Sequence, residues 1–274
     1  MDRPTRIRYQ QVDAFTDVPF KGNPAAVCVM DHPLDASQMQ AIALEMNLAE
    51  TAFLYPPDDQ GARRIRWFTP TIEVPLCGHA TLASGHVLLA SGAASPIVLH
   101  SASGLLMVHA DVDGAVRLDF PATPTAPVPP PPGLIEALGV ERAKAVETGG
   151  HVMIVQVAAE TDVQRARPNF TDLKATQVGD VLVLAVTAPA DSQKLDFVSR
   201  VFAPWAGIDE DPVTGLAHTG LTPYWVAQLG RNTLRAEQIS SRGGKLTVRL
   251  EGERVHLIGH SVTVAEGTML LPPV

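Results

Sequence analysis

Cys77, Gly78 and His79 stand side by side in TIEVPLCGHATLASGHVLLA (Thr71 to Ala90), where an apolar strand gives way to a helical spacing. A related stretch, GIDEDPVTGLAHTGLTPYW (Gly207 to Trp225), has Thr214 at the thiol's position, Gly215 again, and Leu216 at the histidine's. A glycine at the first turn of a helix lets a ligand come close to the backbone. The unpaired N–H groups and positive dipole end there suit an anionic group, most simply a carboxylate. The flanking side chains are then placed to reach a reacting carbon.

Other chemistries find less support. The nine histidines are scattered without metal-ligand spacing; His79 and His86 are seven apart with no carboxylate motif between them, so no metal is expected. SRGGKL near residue 245 lacks the glycine spacing and the Ser/Thr after lysine of a phosphate loop. No glycine-rich dinucleotide fingerprint is present, and no cofactor is expected.

These residues must be positioned by a chain that reads as two copies of one unit. Six prolines follow Ala122 in PATPTAPVPPPPG (121–133), which removes backbone donors and fixes φ. The expected division is residues 1–120, an extended linker over 121–133, and residues 134–274, with the last strand free to return to the first domain. Each half carries three markers in the same order: RWFTP, CGHA and GLLMVHADVDGAVRL in the first, RVFAP, TGLA and GKLTVRLEGERVHL in the second. Arg66 to Gly78 spans 12 residues and Arg200 to Gly215 spans 15; Gly78 to Gly104 spans 26 and Gly215 to Gly244 spans 29. Three matches in register indicate a duplicated unit. The pattern within each is strand, turn, helix, then a hairpin, turning at Asp113-Gly114 and at Glu251-Gly252. Asp35 and Gln38 have capping-box spacing and open a further helix. Two α+β halves facing one another, with a cleft between them as the binding site, are the expectation.

At 274 residues, 46% hydrophobic and 18% charged, the chain is a globular protein with room for two domains. A net charge of −8 with no Lys/Arg block argues against nucleic acid or an anionic membrane as partner. Only Cys28 and Cys77 supply thiols, which indicates a reducing compartment. The start lacks the apolar core of a signal peptide, and the longest apolar run, Val181 to Val186, is too short to span a bilayer. A cytoplasmic protein is expected.

Five blocks, DAFTDVPFKGNPAAV, NLAETAFLY, RWFTPTIEVPLCGHATLA, GIDEDPVTG with PYW, and SRGGKL, together resemble the PhzF (phenazine biosynthesis-like) family, over nearly the whole chain and in order. The resemblance implies the diaminopimelate epimerase fold: two pseudo-symmetric α+β domains, each a β-barrel-like sheet around a central helix, usually in a homodimer. It implies cofactor-independent isomerisation of a small carboxylic acid, in which a carboxylate moves a proton between carbons. By resemblance, Glu50 of NLAETAF is the general acid/base, His79 a relay or substrate-binding group, and Asp211 of EDPVTG a substrate-orienting group. Cys77, Gly78, Thr214 and Gly215 fall at substrate-binding positions. The competing reading of Glu50 is a capping or surface carboxylate, and that of Asp211 an N-cap.

Two departures stand out. Ala49 replaces a small hydroxyl residue, and Leu216 stands where the phenazine enzyme has serine, so a hydrogen-bond donor is lost and the phenazine precursor is doubtful as substrate. Cys77 and Thr214 also match the two thiol positions of related epimerases, but a threonine hydroxyl is too weakly acidic to serve as a base unaided. A Cys77-dependent racemase, epimerase or dehydratase of an amino or imino acid is thus one alternative. A non-catalytic binding protein on the same fold is the other.

Overall fold

The computed structural model describes residues 5–271. In chain order its first elements are β1 (Thr5–Ala14), β2 (Asn23–Val29), α1 (Ala36–Met46), β3 (Glu50–Leu54), β4 (Arg63–Phe68), β5 (Glu73–Val74), α2 (Gly78–Ala90), β6 (Ile97–Ser101), β7 (Gly104–Ala110) and β8 (Val116–Pro121). There follow β9 (Ala126–Pro127), α3 (Leu134–Leu138), β10 (Ala145–Gly149), β11 (Val152–Gln156), α4 (Glu160–Arg165), α5 (Phe170–Ala175), β12 (Val183–Pro189) and β13 (Phe197–Ala203). The last are β14 (Ile208–Asp211), α6 (Gly215–Leu229), β15 (Thr233–Gln238), β16 (Gly244–Glu251), β17 (Arg254–Gly259) and β18 (Ser261–Leu271). Two compact units result: residues 1–119 with 258–274, and residues 120–257.

The duplication is explicit in the strand pairing. In the first unit β1–β2 is antiparallel, β2–β3 parallel, β3–β4 and β4–β5 antiparallel, β4–β6 parallel and β6–β7 antiparallel. The second unit repeats that series, with β10–β11 antiparallel, β11–β12 parallel, β12–β13 and β13–β14 antiparallel, β13–β15 parallel and β15–β16 antiparallel. In both, the long helix follows the fifth strand. The first unit adds β18, which pairs along β1 from Thr5↔Leu271 to Ala14↔Ser261.

Helices α2 and α6 are core helices. Nine of thirteen residues of α2 and nine of fifteen of α6 are buried, so neither has a solvent face of the kind an amphipathic helix shows. Their buried hydroxyls find partners in the helix itself: Thr81 donates to Cys77 O, Ser84 to Ala80 O, Thr219 to Leu216 O and Thr222 to His218 O. Gly85 lets α2 approach the sheet, for a Cβ there would lie 2.5 Å from Val108 Cγ1.

Helix α6 runs on through Pro223, which cannot donate to Thr219 O. The Thr123 amide fills that vacancy at 3.0 Å, and the two threonine hydroxyls meet at 2.8 Å. The proline-rich stretch is therefore more than a tether. It is fastened to the second unit here, and again where β9 pairs with Glu147 and Thr148 of β10.

Helix α1 forms where the sequence predicts: Asp35 accepts from Gln38 N–H at 2.8 Å and Gln38 Oε1 accepts from Asp35 N–H at 3.2 Å. Its buried face, Met39, Ile42 and Ala43, joins Cys28, Met30, Phe53 and Phe68 in one core cluster. Asn47 ends the helix in the left-handed region (φ 48°), and β3 starts three residues later with Glu50.

Candidate active site

Glu50 opens β3 beside Ala25 of β2. Strand periodicity puts Glu50, Ala52 and Leu54 on one face and Thr51 and Phe53 on the other, where Phe53 meets Phe68 edge-on at 5.6 Å. The carboxylate is therefore delivered to the side away from the α1 cluster. It is not a surface group: its side chain is 12% exposed.

His79 Nε2 lies 3.2 Å from Glu50 Oε2, and the imidazole is 6% exposed. The contact lies off hydrogen-bond alignment. On the other edge of the ring, Nδ1 is 3.6 Å from Cys77 Sγ. Burial pushes the imidazole pKa down to about 4, against a smaller raising effect of the Pro24 carbonyl on β2. The ring is neutral at neutral pH. Glu50, Cys77 and His79 thus form one cluster, with candidate ligand atoms within 4.8 Å of one another. The thiol approaches one ring nitrogen and the carboxylate the other.

Cys77 is the N-cap of α2 but makes no side-chain cap, and Gly78 is the first helical residue. The start of α6 is built alike, with Thr214 at the N-cap, Gly215 first and Leu216 second. Thr214 does not cap either, because its hydroxyl donates to Asp211 Oδ2 at 2.5 Å. Asp211 is the last residue of β14 and not the N-cap. Leu216 is 36% exposed at the position that His79 occupies in α2.

What sets these helix starts is also duplicated. Arg66 grips Glu73 through two bonds of 2.7 and 2.6 Å, and Arg200 grips Glu210 at 2.7 and 2.9 Å. Each guanidinium lies 5.1 Å from the ring of the phenylalanine two residues on, Phe68 or Phe202. The charged hydrogen bond holds the Glu73 pKa below its usual range and the Arg66 pKa above its own. Ser103 Oγ donates to Pro75 O at 2.9 Å, and Ser240 Oγ to Pro212 O at 2.8 Å. Each helix start is thus clamped at its glutamate and its proline.

The glutamates were legible: EVPLCG and EDPVTG share a Glu-x-Pro-x-x-Gly pattern. The serines and Gln238, whose Oε1 accepts from Thr214 N–H at 2.9 Å, carry no local signal. The duplication also shows what is not shared. Aligning β3 on β12 through Thr51↔Phe68 and Leu184↔Phe202 sets Val183 opposite Glu50, and the shared pattern sets Val74 opposite Asp211. One unit holds the Glu50–His79 pair and the other holds Asp211.

A chain of two such units, each a sheet packed on a long buried helix, has the α+β fold of the epimerase-like proteins. The profile of the phenazine biosynthesis-like protein family (PhzC-PhzF) matches residues 12–267, and the chain belongs to that family. It is 46% identical over 95% of its length to an uncharacterized isomerase of Pseudomonas aeruginosa, covering 98% of that protein. An uncharacterized isomerase of Halalkalibacterium halodurans is 42% identical, with 95% and 97% covered. Among solved structures, a PhzF family protein of Enterococcus faecalis superposes with a TM-score of 0.91 at 40% identity, over 97% of this chain and all of the other. Among the described residues no helix is long and apolar enough to cross a membrane.

Proposed function

We propose that this enzyme is a cofactor-independent isomerase that moves a proton on a small carboxylic acid. Glu50 takes the proton from one carbon and returns it to another. The observation that carries this reading is the Glu50–His79 pair, 3.2 Å apart and largely out of water. Because His79 is neutral, it holds a hydrogen-bonding group beside the carboxylate without the counter-charge that would weaken Glu50 as a base. Asp211 orients the substrate, and the uncapped N–H groups at Gly78 and Gly215, with Cys77 and Thr214 beside them, bind anionic or polar groups.

The test is a panel of small carboxylic acids incubated with the enzyme in heavy water and read by mass. The expected result is deuterium uptake into one chemical class, abolished by Glu50→Gln with folding intact. Full uptake by Glu50→Gln removes Glu50 from the mechanism.

The 3.6 Å approach of Cys77 Sγ to His79 Nδ1 supports a second reading, in which the thiol is the base of a racemase or dehydratase. Thiol alkylation that leaves turnover untouched counts against the second reading, and a fully active Cys77→Ala variant excludes it.

A further inference from the structure

We propose that Gln238 is a positioning residue, which fixes the Asp211–Thr214 turn and the polarity that the start of α6 presents to a ligand. The inference rests on the reading of Asp211 and Thr214 as substrate-binding groups. Gln238 ends β15 and its side chain is fully buried. Its Oε1 accepts from Thr214 N–H at 2.9 Å; its Nε2 donates to Asp211 O at 2.6 Å and lies 3.3 Å from Thr214 Oγ1. The orientation of the amide is unambiguous, since one end faces an N–H and the other a carbonyl. One side chain therefore pins both ends of the turn, from 24 and 27 residues away in sequence.

Two consequences follow from counting donors. The Thr214 amide is spent on Gln238, so the N–H groups available to a ligand begin at Gly215. The Thr214 hydroxyl accepts from Gln238 and gives its proton to Asp211, so it meets a ligand as an acceptor only. Thr214 thereby forgoes the cap that a threonine at this position ordinarily supplies. Simple anchoring of the loop does not require this arrangement. Ser240 already ties Pro212 O to the β15–β16 turn and accepts from Gly243 N–H. The first unit has the equivalent serine bond, Ser103 to Pro75, but two residues before it stands Ser101, which donates to Gly104 O. The glutamine occurs only in the unit that carries Asp211.

Amide hydrogen exchange by NMR on the full chain tests this, with wild type, Gln238→Leu, Gln238→Glu and Ser240→Ala. In Gln238→Leu the Thr214 amide is expected to exchange about 100-fold faster, while amides of Leu221 to Leu229 keep their protection. Deuterium uptake into the acid found by the screen is expected to fall about 30-fold in kcat/KM. Gln238→Glu keeps an acceptor for the Thr214 amide but loses the donor to Asp211 O, so it restores protection without restoring turnover. Ser240→Ala, which frees Pro212 O but leaves all three Gln238 contacts, is expected to lose clearly less than Gln238→Leu. The proposal is overturned by unchanged Thr214 exchange in Gln238→Leu, by unchanged turnover in it, or by an equal loss in Ser240→Ala. Active Glu50→Gln enzyme, or a panel in which no acid takes up deuterium, defeats the catalytic reading instead and leaves the exchange result to decide on Gln238.

Discussion

His79 Nε2 stands 3.2 Å from Glu50 Oε2, with the imidazole held neutral by burial. A group with a pKa near 4 does not change charge between pH 5 and 8. Profiles of kcat/KM should therefore show no inflection near 6.5, the ordinary value for histidine, and His79→Phe should lower kcat roughly 100-fold at any pH in that range. An inflection near 6.5 that vanishes in His79→Phe would mean that the ring titrates during turnover.

The same burial makes the fold sensitive to acid. His79 and His218 both have pKa values pushed down to about 4 by desolvation. For His218 the Nδ1 contact to Thr214 O at 2.8 Å places the proton there and leaves Nε2 as a bare lone pair without a partner among the described residues. A histidine with a lowered folded pKa is protonated first in the unfolded chain. Its contribution is complete above about pH 6.5 and is lost as pH falls toward 4, on the order of 3 kcal/mol for each ring. Urea midpoints at pH 7.5 and 4.5 check this. His218→Gln should be destabilised at pH 7.5, with the gap from wild type narrowing at pH 4.5.

The two arginine clamps should differ in strength although they match in form. The side chains of Arg200 and Glu210 are 13% and 22% exposed, against 16% and 39% for Arg66 and Glu73. Arg200 also donates to Ala166 O at 2.8 Å. Removing Arg200 strands the more buried carboxylate, so Arg200→Ala should cost about 3 kcal/mol and Arg66→Ala about half that. Denaturant unfolding measures both, and the reverse order would refute the burial argument.

Gly85 gives a packing test. A methyl group there meets Val108 Cγ1 at 2.5 Å and Val116 Cγ1 at 3.0 Å, both on strands beneath α2. Gly85→Ala should destabilise by about 1–3 kcal/mol, and Val108→Ala in the same chain should recover part of the loss. Simple addition of the two single effects would show that the helix shifts as a body instead.

Much of this was legible in the sequence because the information was local. The capping box at Asp35 and Gln38, the two Gly-led helices and the paired Arg-x-Phe strands each sit within a few residues, and the repeat supplied a second copy to check against. Glu50 was legible through its block of neighbours, although nothing in that block says that His79, 29 residues later, will meet it. Gln238, Ser103 and Ser240 were not legible. Each reaches a partner 24 to 28 residues away, back across a long helix and a strand whose register only the folded sheet decides. The grip of Thr123 on the gap left by Pro223 is hidden for the same reason, since the two lie about 100 residues apart and a proline run reads as a spacer.

The long pairing of β18 with β1 has a consequence during synthesis. Residues 120–257 are contiguous and leave the ribosome with all their strands in hand, so that half can fold as it emerges. The half that carries Glu50 and His79 waits with one flank of β1 unpartnered until residues 261–271 have been made. The amino-terminal half is translated first and completed last, and until then its open strand edge is a place where a nascent chain can pair with the wrong neighbour.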